Sequence, residues 1–214
     1  MVDESAAQRG RWLAVVAASL SLFGTLAPAC SPRGQPVVPY RERIEALRAE
    51  KDRVFGTASD TPILAARRGE LLPLGYFAID ESYVVAATLA PSEMEPAMEM
   101  PTSTGQRRQM RRAGTLKFSL KGHPLQLTAF IEADSPDMNR LFVPFGDMTN
   151  GTETYAAGRY IDLARSPSGF YEVDFNRAYH PYCYYNETYD CPYPPPENRL
   201  SLPVRAGERI RKSS

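Results

Sequence analysis

The chain has 214 residues, and its 25 basic and 25 acidic side chains give a formal charge of zero at pH 7. This length suits one well-cored domain, and the lack of a cationic excess excludes nucleic-acid binding, because phosphate contacts need such an excess. Nineteen prolines, fourteen glycines and twelve tyrosines favour strands and turns, since proline interrupts helices and tyrosine suits a pleated surface.

Residues 1–30 have the composition of an export signal. Arg9 and Arg11 precede an apolar run over 12–29, and Cys30 follows directly. A small residue before the cysteine resembles a bacterial lipoprotein cleavage box, in which Cys30 is acylated and becomes the new N-terminus. An uncleaved membrane anchor and ordinary secretion are the alternatives. We therefore expect an extracytoplasmic domain, lipid-anchored to the bacterial cell envelope on the periplasmic side.

The remaining chain divides into a tether, one domain and a tail. Residues 31–39 contain proline and glycine and predict a spacer. A single mostly-β domain is expected over 40–208, followed by a charged tail over 209–214. The domain begins with an amphipathic helix, because Tyr40, Ile44, Leu47, Val54 and Phe55 recur at helical spacings.

Strand patterns begin after this helix. Residues 76–79 and 83–89 predict a hairpin across a short polar turn. Residues 91–112 lose all periodicity, are rich in methionine, glutamate and proline, and end in a basic cluster. We interpret them as a mobile loop. Alternating residues over 114–120 and 124–131 predict the clearest hairpin, with its turn at 121–123 and His123 exposed there.

A dense run of polar and aromatic residues follows. Strands are predicted over 140–145, 155–163, 170–175 and 200–204. Pleat alternation places Tyr155, Arg159 and Ile161 on one face of the second of these strands, with Tyr160 and Asp162 on the other. The intervening turn over 146–154 carries oxygen ligands at alternate positions, but its glycine is misplaced for an EF-hand loop, so no metal is assigned.

Arg159 is the central residue of this dense run. An arginine on a largely apolar strand is costly to bury unless a carboxylate meets it. Asp147, Glu153 and Asp174 are the nearest candidates. One interpretation is a buried network that fixes the register of the sheet, and the other is an arginine that lines a pocket and holds an anion through paired hydrogen bonds. The sequence leaves both open.

The oxidation state of the cysteines depends on the cellular compartment. With Cys30 lipidated, Cys183 and Cys191 remain as an even pair in an oxidising environment, which favours a structural disulfide. Together with His180 they form H-x2-C-x7-C, so zinc binding or thiol catalysis by Cys183 are the alternatives. The prolines and tyrosines around Cys191 predict a cover laid over one end of the sheet.

Six segments resemble the uncharacterised, mainly bacterial family catalogued as domain of unknown function 1684: LGYFAID, GTLKFSLKG, LFVPFGDMTNGTETYAAGRYIDL, VDFNRAYHPYCYY, CPYPPPENRL and AGE. The resemblance extends from the helix at Tyr40 to Glu208, but implies no reaction. His180 stands where asparagine is usual, which weakens a catalytic histidine. The family motif includes Asp147, Thr149, Gly151, Thr154, Tyr155, Gly158, Arg159, Tyr160, Asp174, Asn176, Tyr179, Pro181, Cys183, Cys191, Pro192, Glu197 and Asn198.

These observations predict an antiparallel barrel or sandwich of about seven to nine strands with an N-terminal amphipathic helix. The leading functional hypothesis is a membrane-tethered, small-molecule-binding or envelope-associated module with a pocket around Arg159. No cofactor is assigned, and the expected partners are the membrane and a small-molecule ligand. The candidate ligand-binding residues are Asp147, Thr149, Glu153, Tyr155, Arg159, Tyr160, Asp174 and Asn176.

The alternative hypothesis is a hydrolase. Asp147 or Glu153 would be the general base, Arg159 would stabilise developing negative charge, and Tyr155 would donate a proton. A nucleophile, base and orienting acid cannot be assembled from the sequence, so the binding module is preferred.

Overall fold

The computed structural model describes residues 38–92 and 96–211. The predicted signal peptide, the lipidation candidate Cys30 and most of the predicted tether lie outside the described residues. Within the two described ranges, no helix has both the length and the apolar character needed to cross a bilayer.

The described chain consists of one long helix, a sheet and several short helical turns. The longer elements are α1 (Tyr40–Thr57), α2 (Arg68–Leu71), β1 (Val84–Pro91), β2 (Met98–Pro101), β3 (Arg107–Leu120), β4 (His123–Glu132), β5 (Arg140–Phe145), β6 (Arg159–Ala164), β7 (Phe170–Asp174) and α3 (Tyr182–Tyr185).

The strands form one antiparallel sheet in the order β6–β5–β4–β3–β1–β7, and β2 pairs with β3 outside this path. The two end strands, β6 and β7, approach each other, so the sheet curls into a nearly closed barrel. The predicted fold class is confirmed, with seven strands in the described ranges.

The β3–β4 hairpin is confirmed and supplies much of the core. Its register pairs Leu116 with Leu127 and Phe118 with Leu125. Lys121 and Gly122 at the turn have φ angles of 51° and 83°, as a two-residue turn that matches the twist of the strands requires. Leu116 and Leu127 are fully buried, so alternation along both strands directs their apolar side chains into the barrel.

The prediction of a mobile loop over 91–112 is wrong for most of this segment. Residues 98–101 form β2 and pair with the first residues of β3. Met100 and Met110 are buried against Phe130, while Arg107 between them is exposed. Burial of these two methionines stabilises a strand pair that the charge-rich sequence conceals.

Two other predicted strands are also wrong. Residues 76–79 do not pair with β1, because Tyr76 bridges to Glu208 instead. Residues 200–204 are irregular, and their backbone bonds to other partners, such as Leu200 N–H to the Gly146 carbonyl at 2.8 Å. In both segments, long-range contacts satisfy the backbone groups that a local strand would have used.

The strand predicted over 155–163 begins later, at Arg159. Gly158 immediately before it has a φ angle of 100°, in the region that favours glycine. A Cβ atom there would lie 2.6 Å from the Phe145 carbonyl oxygen and 2.7 Å from Pro194 Cγ. The chain therefore turns at Gly158 and enters the sheet only after it.

Helix α1 is present over the predicted region. Ile44 and Phe55 are buried, whereas Leu47, predicted on the same apolar face, is 51 % exposed. The amphipathic character of the helix therefore stays a prediction. Its first residue, Tyr40, donates a hydrogen bond to Asp174 at the end of β7 (2.9 Å), which anchors the helix to the sheet.

Candidate functional site

Arg159 lies at the start of β6 and has no exposed surface. Its Nη1 donates to the carbonyl oxygens of Ala206 (2.5 Å) and Glu208 (3.0 Å), and its Nη2 donates to the Val204 carbonyl (2.7 Å) and to Asp147 Oδ2 (2.9 Å). Burial lowers the pKa of Arg159, while the Asp147 carboxylate opposes this shift. The guanidinium thus ties the C-terminal segment to the sheet, as the buried-network interpretation predicts.

This placement corrects the expectation of a pocket around Arg159. A side chain without exposed surface does not contact a ligand in this conformation. Thr149 is also fully buried and donates to Asp147 Oδ1 at 2.6 Å. Glu153 lies apart from them, where its carboxylate accepts a hydrogen bond from the exposed Arg205 at 2.9 Å. Arg159 thus pairs with Asp147 in the interior, whereas Glu153 pairs with Arg205 at the surface, and the hydrolase activity stays a prediction.

Asp174 and Asn176 belong to a separate cluster that fixes helix α1. Asn176 Nδ2 donates to the Tyr40 hydroxyl (2.9 Å) and to the Asp80 carbonyl (2.9 Å). The Tyr40 hydroxyl in turn donates to Asp174. Burial and the Asp174 carboxylate raise the pKa of Tyr40 well above its ordinary value, so its proton stays in place. Asp174 and Asn176, which the sequence predicts as ligand-binding residues, therefore join helix α1 to the sheet instead.

Replacing Tyr40 with phenylalanine should lower the free energy of unfolding by about 1.5–3 kcal/mol, the typical worth of a hydrogen bond to a charged group. The variant leaves Asp174 and Asn176 without their shared partner. Urea denaturation measures the effect, with the exposed Tyr193 changed to phenylalanine as the matched control. Equal losses in the two variants would contradict the anchoring role.

Tyr160 and Asp162 point away from the barrel interior, as their alternation with Arg159 predicts. They line an open cleft of about 620 Å³ on the other face of β6. Helix α1, strands β3 to β6 and residues 179–192 all contribute to its walls. The lining residues are Lys51, Phe55, Arg108, Met110, Glu132, Ser135, Arg140, Phe142, Tyr160, Asp162, Tyr179, Pro181, Tyr182, Tyr189, Asp190, Cys191 and Pro192.

The arginines of this cleft are paired with acids of the same cleft. Arg140 Nη2 donates to Asp162 Oδ2 at 2.7 Å, and this bond raises the pKa of Arg140. Arg108 lies 3.3 Å from Asp190 and 3.4 Å from Glu132. The cleft is therefore close to neutral, although it is rich in hydrogen-bonding groups.

One oxygen of the Asp162 carboxylate lacks a hydrogen-bond donor among the described residues. Its Oδ2 accepts from both Arg140 and the Tyr179 hydroxyl, the latter at 2.8 Å. Its Oδ1 is buried and has no hydrogen-bond donor among residues 38–92 and 96–211. Since a buried acceptor without a donor is costly, this carboxylate gains stability from any further donor.

Ring side chains form the apolar part of the cleft. Phe142 packs edge-on against Tyr160 with ring centroids 4.6 Å apart, and Tyr182 packs against Tyr189 at 5.3 Å. Tyr182 is 44 % exposed, so part of its ring is available at the rim. Burial raises the pKa of Tyr160 and of Tyr182, and their hydroxyls are therefore neutral donors at physiological pH.

A second buried charge lies behind the cleft. Glu208 accepts hydrogen bonds from Lys51, from the Tyr185 hydroxyl (2.6 Å) and from the His180 backbone N–H (2.7 Å). Burial opposes ionisation of this carboxyl, but the combined interactions with Lys51, His180 and the Tyr185 hydroxyl outweigh it, and the pKa of Glu208 is lowered. Lys51 also lines the cleft, so this network links the buried Glu208 to the cleft wall.

His180 is a structural residue in this geometry. It is buried, and burial lowers its pKa to about 3. The neutral ring accepts a hydrogen bond from the Tyr155 backbone N–H through Nε2 at 3.2 Å, so that lone pair is already used. Within residues 38–92 and 96–211, no cluster of three or more histidine, cysteine or acidic side chains could hold a metal ion.

The predicted disulfide is not formed. Cys183 and Cys191 are free, buried thiols, and Cys191 Sγ accepts a hydrogen bond from the Cys183 backbone N–H at 3.1 Å. A hydrogen bond from the Cys191 thiol lowers the pKa of Cys183 to about 7, against the effect of burial. The same interaction raises the pKa of Cys191.

Most of the cleft was missed by sequence reasoning. Arg108 lies in the segment predicted as a mobile loop, and Lys51 lies on a helix distant in sequence. The sequence predicts Tyr160 as a candidate, whereas Tyr189 falls in the segment interpreted as a structural cover and Tyr182 is not singled out. Alternation on β6 carried the useful signal, because it separates Tyr160 from the buried Arg159.

Comparison with known proteins gives a family but no activity. Residues 71–209 match the model of the family described as Protein of unknown function (DUF1684), which confirms the resemblance inferred from the sequence. A similar solved structure is the solution NMR structure of an uncharacterized protein of Haloarcula marismortui. It is 38 % identical, with a TM-score of 0.64 over 78 % of this chain and 92 % of that chain. No curated protein matches.

Proposed function

The chain belongs to the DUF1684 family, and we propose that it is a membrane-tethered, extracytoplasmic module that binds a neutral, hydroxyl-bearing ring compound, such as a saccharide, in the cleft beside β6. The observation that carries this proposal is the combination of ring side chains with internally paired charges in one cleft. Export and tethering rest on residues 1–39, and the ligand class rests on the cleft.

The size of the cleft fits a small molecule. Its volume of about 620 Å³ lies within the range of roughly 300–1,000 Å³ that is usual for ligand sites. A second cavity, beside helix α1, measures about 200 Å³. The larger cleft is therefore the better candidate for a ligand of one or two rings.

The paired charges favour a neutral ligand. A charged ligand would have to separate Arg140 from Asp162, or Arg108 from Asp190, and each separation leaves a partly desolvated charge behind. A hydroxyl group donates and accepts, so it can bond to the free edges of both members of a pair. Polyhydroxylated rings offer many such groups without a net charge.

The ring side chains supply the apolar contact. A sugar or other saturated ring has an apolar face, and burial of that face against an aromatic ring is favourable. The part-exposed Tyr182 at the rim is suited to this contact, and the less exposed Phe142 and Tyr160 also line the cleft.

Replacing Tyr182 with alanine should weaken binding by about two- to twelvefold, because a ring contact is worth about 0.5–1.5 kcal/mol and 1.4 kcal/mol is tenfold in Kd. Ligand-observed NMR with a panel of neutral mono- and disaccharides measures the change, using the full-length chain in mild detergent. Phe170, an exposed ring on β7 outside the cleft lining, is changed to alanine as the matched control.

A second variant tests the polar part of the cleft. Asp162→Asn removes the carboxylate that Arg140 and Tyr179 share, and binding should again fall while Phe170→Ala binds like the wild type. If no neutral saccharide in the panel binds, or if Tyr182→Ala and Phe170→Ala bind equally, the proposed function is rejected.

A further inference from the structure

Cys183 and Cys191 lie together at the wall of the cleft. Cys183 is on α3, and Cys191 follows a turn that places its Sγ 3.1 Å from the Cys183 backbone nitrogen. The two thiols also share a hydrogen bond. Both are only about one-twentieth exposed, at 5 % and 6 %, yet Cys191 lines the cleft. A compact molecule in the cleft can therefore approach Cys191 and, next to it, the adjacent Cys183.

Neighbouring hydroxyl groups favour a thiolate at Cys183. After the Cys191 thiol, a hydrogen bond from the Tyr155 hydroxyl contributes to the lowered pKa of Cys183. The Ser103 hydroxyl is also close, but its single proton is directed to the Tyr189 carbonyl at 3.0 Å. Tyr155 is thus the better donor. The sequence predicts that Tyr155 contacts a ligand, but its hydroxyl interacts with Cys183, which raises the pKa of Tyr155 further beyond the effect of burial.

We propose that Cys183 and Cys191 form a reversible dithiol–disulfide site that exchanges with low-molecular-weight disulfides entering through the cleft. The Cys183 thiolate attacks one sulfur of the disulfide RSSR, a new S–S bond forms, and RS⁻ leaves. Cys191 then attacks the Cys183 sulfur, the second RS group leaves, and it carries away the Cys191 proton. The two protein sulfurs are oxidised, and RSSR is reduced to one thiol and one thiolate.

The hydrogen bonds make this site reversible. A dithiol whose reduced form is stabilised gives up its disulfide readily, because stabilisation of the thiolate raises the reduction potential of the pair. A purely structural disulfide has no such stabilised reduced form and resists reduction by small thiols. The free thiols and the donors around Cys183 therefore favour an exchanging site over the static cross-link expected from the sequence.

The test measures the thiol–disulfide equilibrium of Cys183 and Cys191 in the full-length chain. The chain is kept in mild detergent and equilibrated with cystamine and its thiol, cysteamine. Peptide mass spectrometry separates the two sulfurs from Cys30. We expect a reversible disulfide, reduced by excess cysteamine, and iodoacetamide should label Cys183 before Cys191. Tyr155→Phe removes the donor and should shift the equilibrium toward the disulfide by about tenfold, the lower limit for a hydrogen bond to a charged group.

Tyr193→Phe is the matched control and should leave the equilibrium unchanged. The proposal is overturned if the disulfide does not form, if excess cysteamine does not reduce it, or if Cys191 is alkylated first. Equal equilibria for Tyr155→Phe and Tyr193→Phe also overturn it. None of these outcomes depends on whether a saccharide binds, so the thiol site and the proposed ligand site can fail separately.

Discussion

Replacing Arg159 with methionine should lower the free energy of unfolding by about 3–5 kcal/mol, the usual cost of removing one partner from a buried ion pair. The methionine leaves the Asp147 carboxylate buried without its cation. It also leaves three carbonyl groups, from Val204, Ala206 and Glu208, without the donor that now joins them. Urea denaturation followed by circular dichroism measures the loss.

The matched control is Arg205→Met. Arg205 pairs with Glu153 at the surface, where its side chain is 56 % exposed, and such pairs are worth about 0–1 kcal/mol. A small loss in both variants would contradict the structural role of Arg159. If Arg159→Met kept its stability but lost saccharide binding, the ligand site would include Arg159, as the sequence-based hypothesis of a pocket around this residue predicts.

Glu208→Gln should destabilise the protein by about 3 kcal/mol at neutral pH, at the low end of the cost of breaking a buried pair, since Lys51 retains some exposure. The pKa of Glu208 is lowered by folding. Its stabilising contribution is therefore complete above the unfolded pKa and is lost as the pH falls through the folded pKa. Wild type and variant should converge in acid, because protonated glutamate resembles glutamine.

Chemical denaturation at a series of pH values measures this convergence. Glu153→Gln is the control, since Glu153 belongs to an exposed pair and should give a small difference at every pH. A difference between Glu208→Gln and wild type that stays constant from neutral to acid pH would show that the charge of Glu208 is not what stabilises the network.

The β-rich fold was predictable because its signals are local. Alternation over 114–131 fixes a hairpin whose turn and register need no distant information. The same reasoning placed Arg159 and Ile161 opposite Tyr160 and Asp162. Where distant residues decide the structure, prediction was wrong. Tyr76 looks like a strand residue, but it pairs with Glu208, more than a hundred residues away in sequence.

The candidate site was predictable only in part. Asp147 was correctly named among the partners of Arg159, and a buried network was one of the two interpretations. The cleft could not be found in this way, because Lys51, Arg108 and Tyr189 come together only through closure of the sheet and the path of the C-terminal segment. The charge-rich start of β3 also concealed its strand, since only Met110 marks the buried face there.

The most direct test of the central claim is a map of backbone amide chemical-shift changes when a saccharide that binds is titrated into the isotopically labelled chain. Changes concentrated around the cleft, at Arg108, Arg140, Asp162, Tyr182 and Asp190, are the predicted result. Changes concentrated around Asp147, Arg159 and Val204 would contradict it, because the ligand would then occupy the region that the structure fills with a buried ion pair.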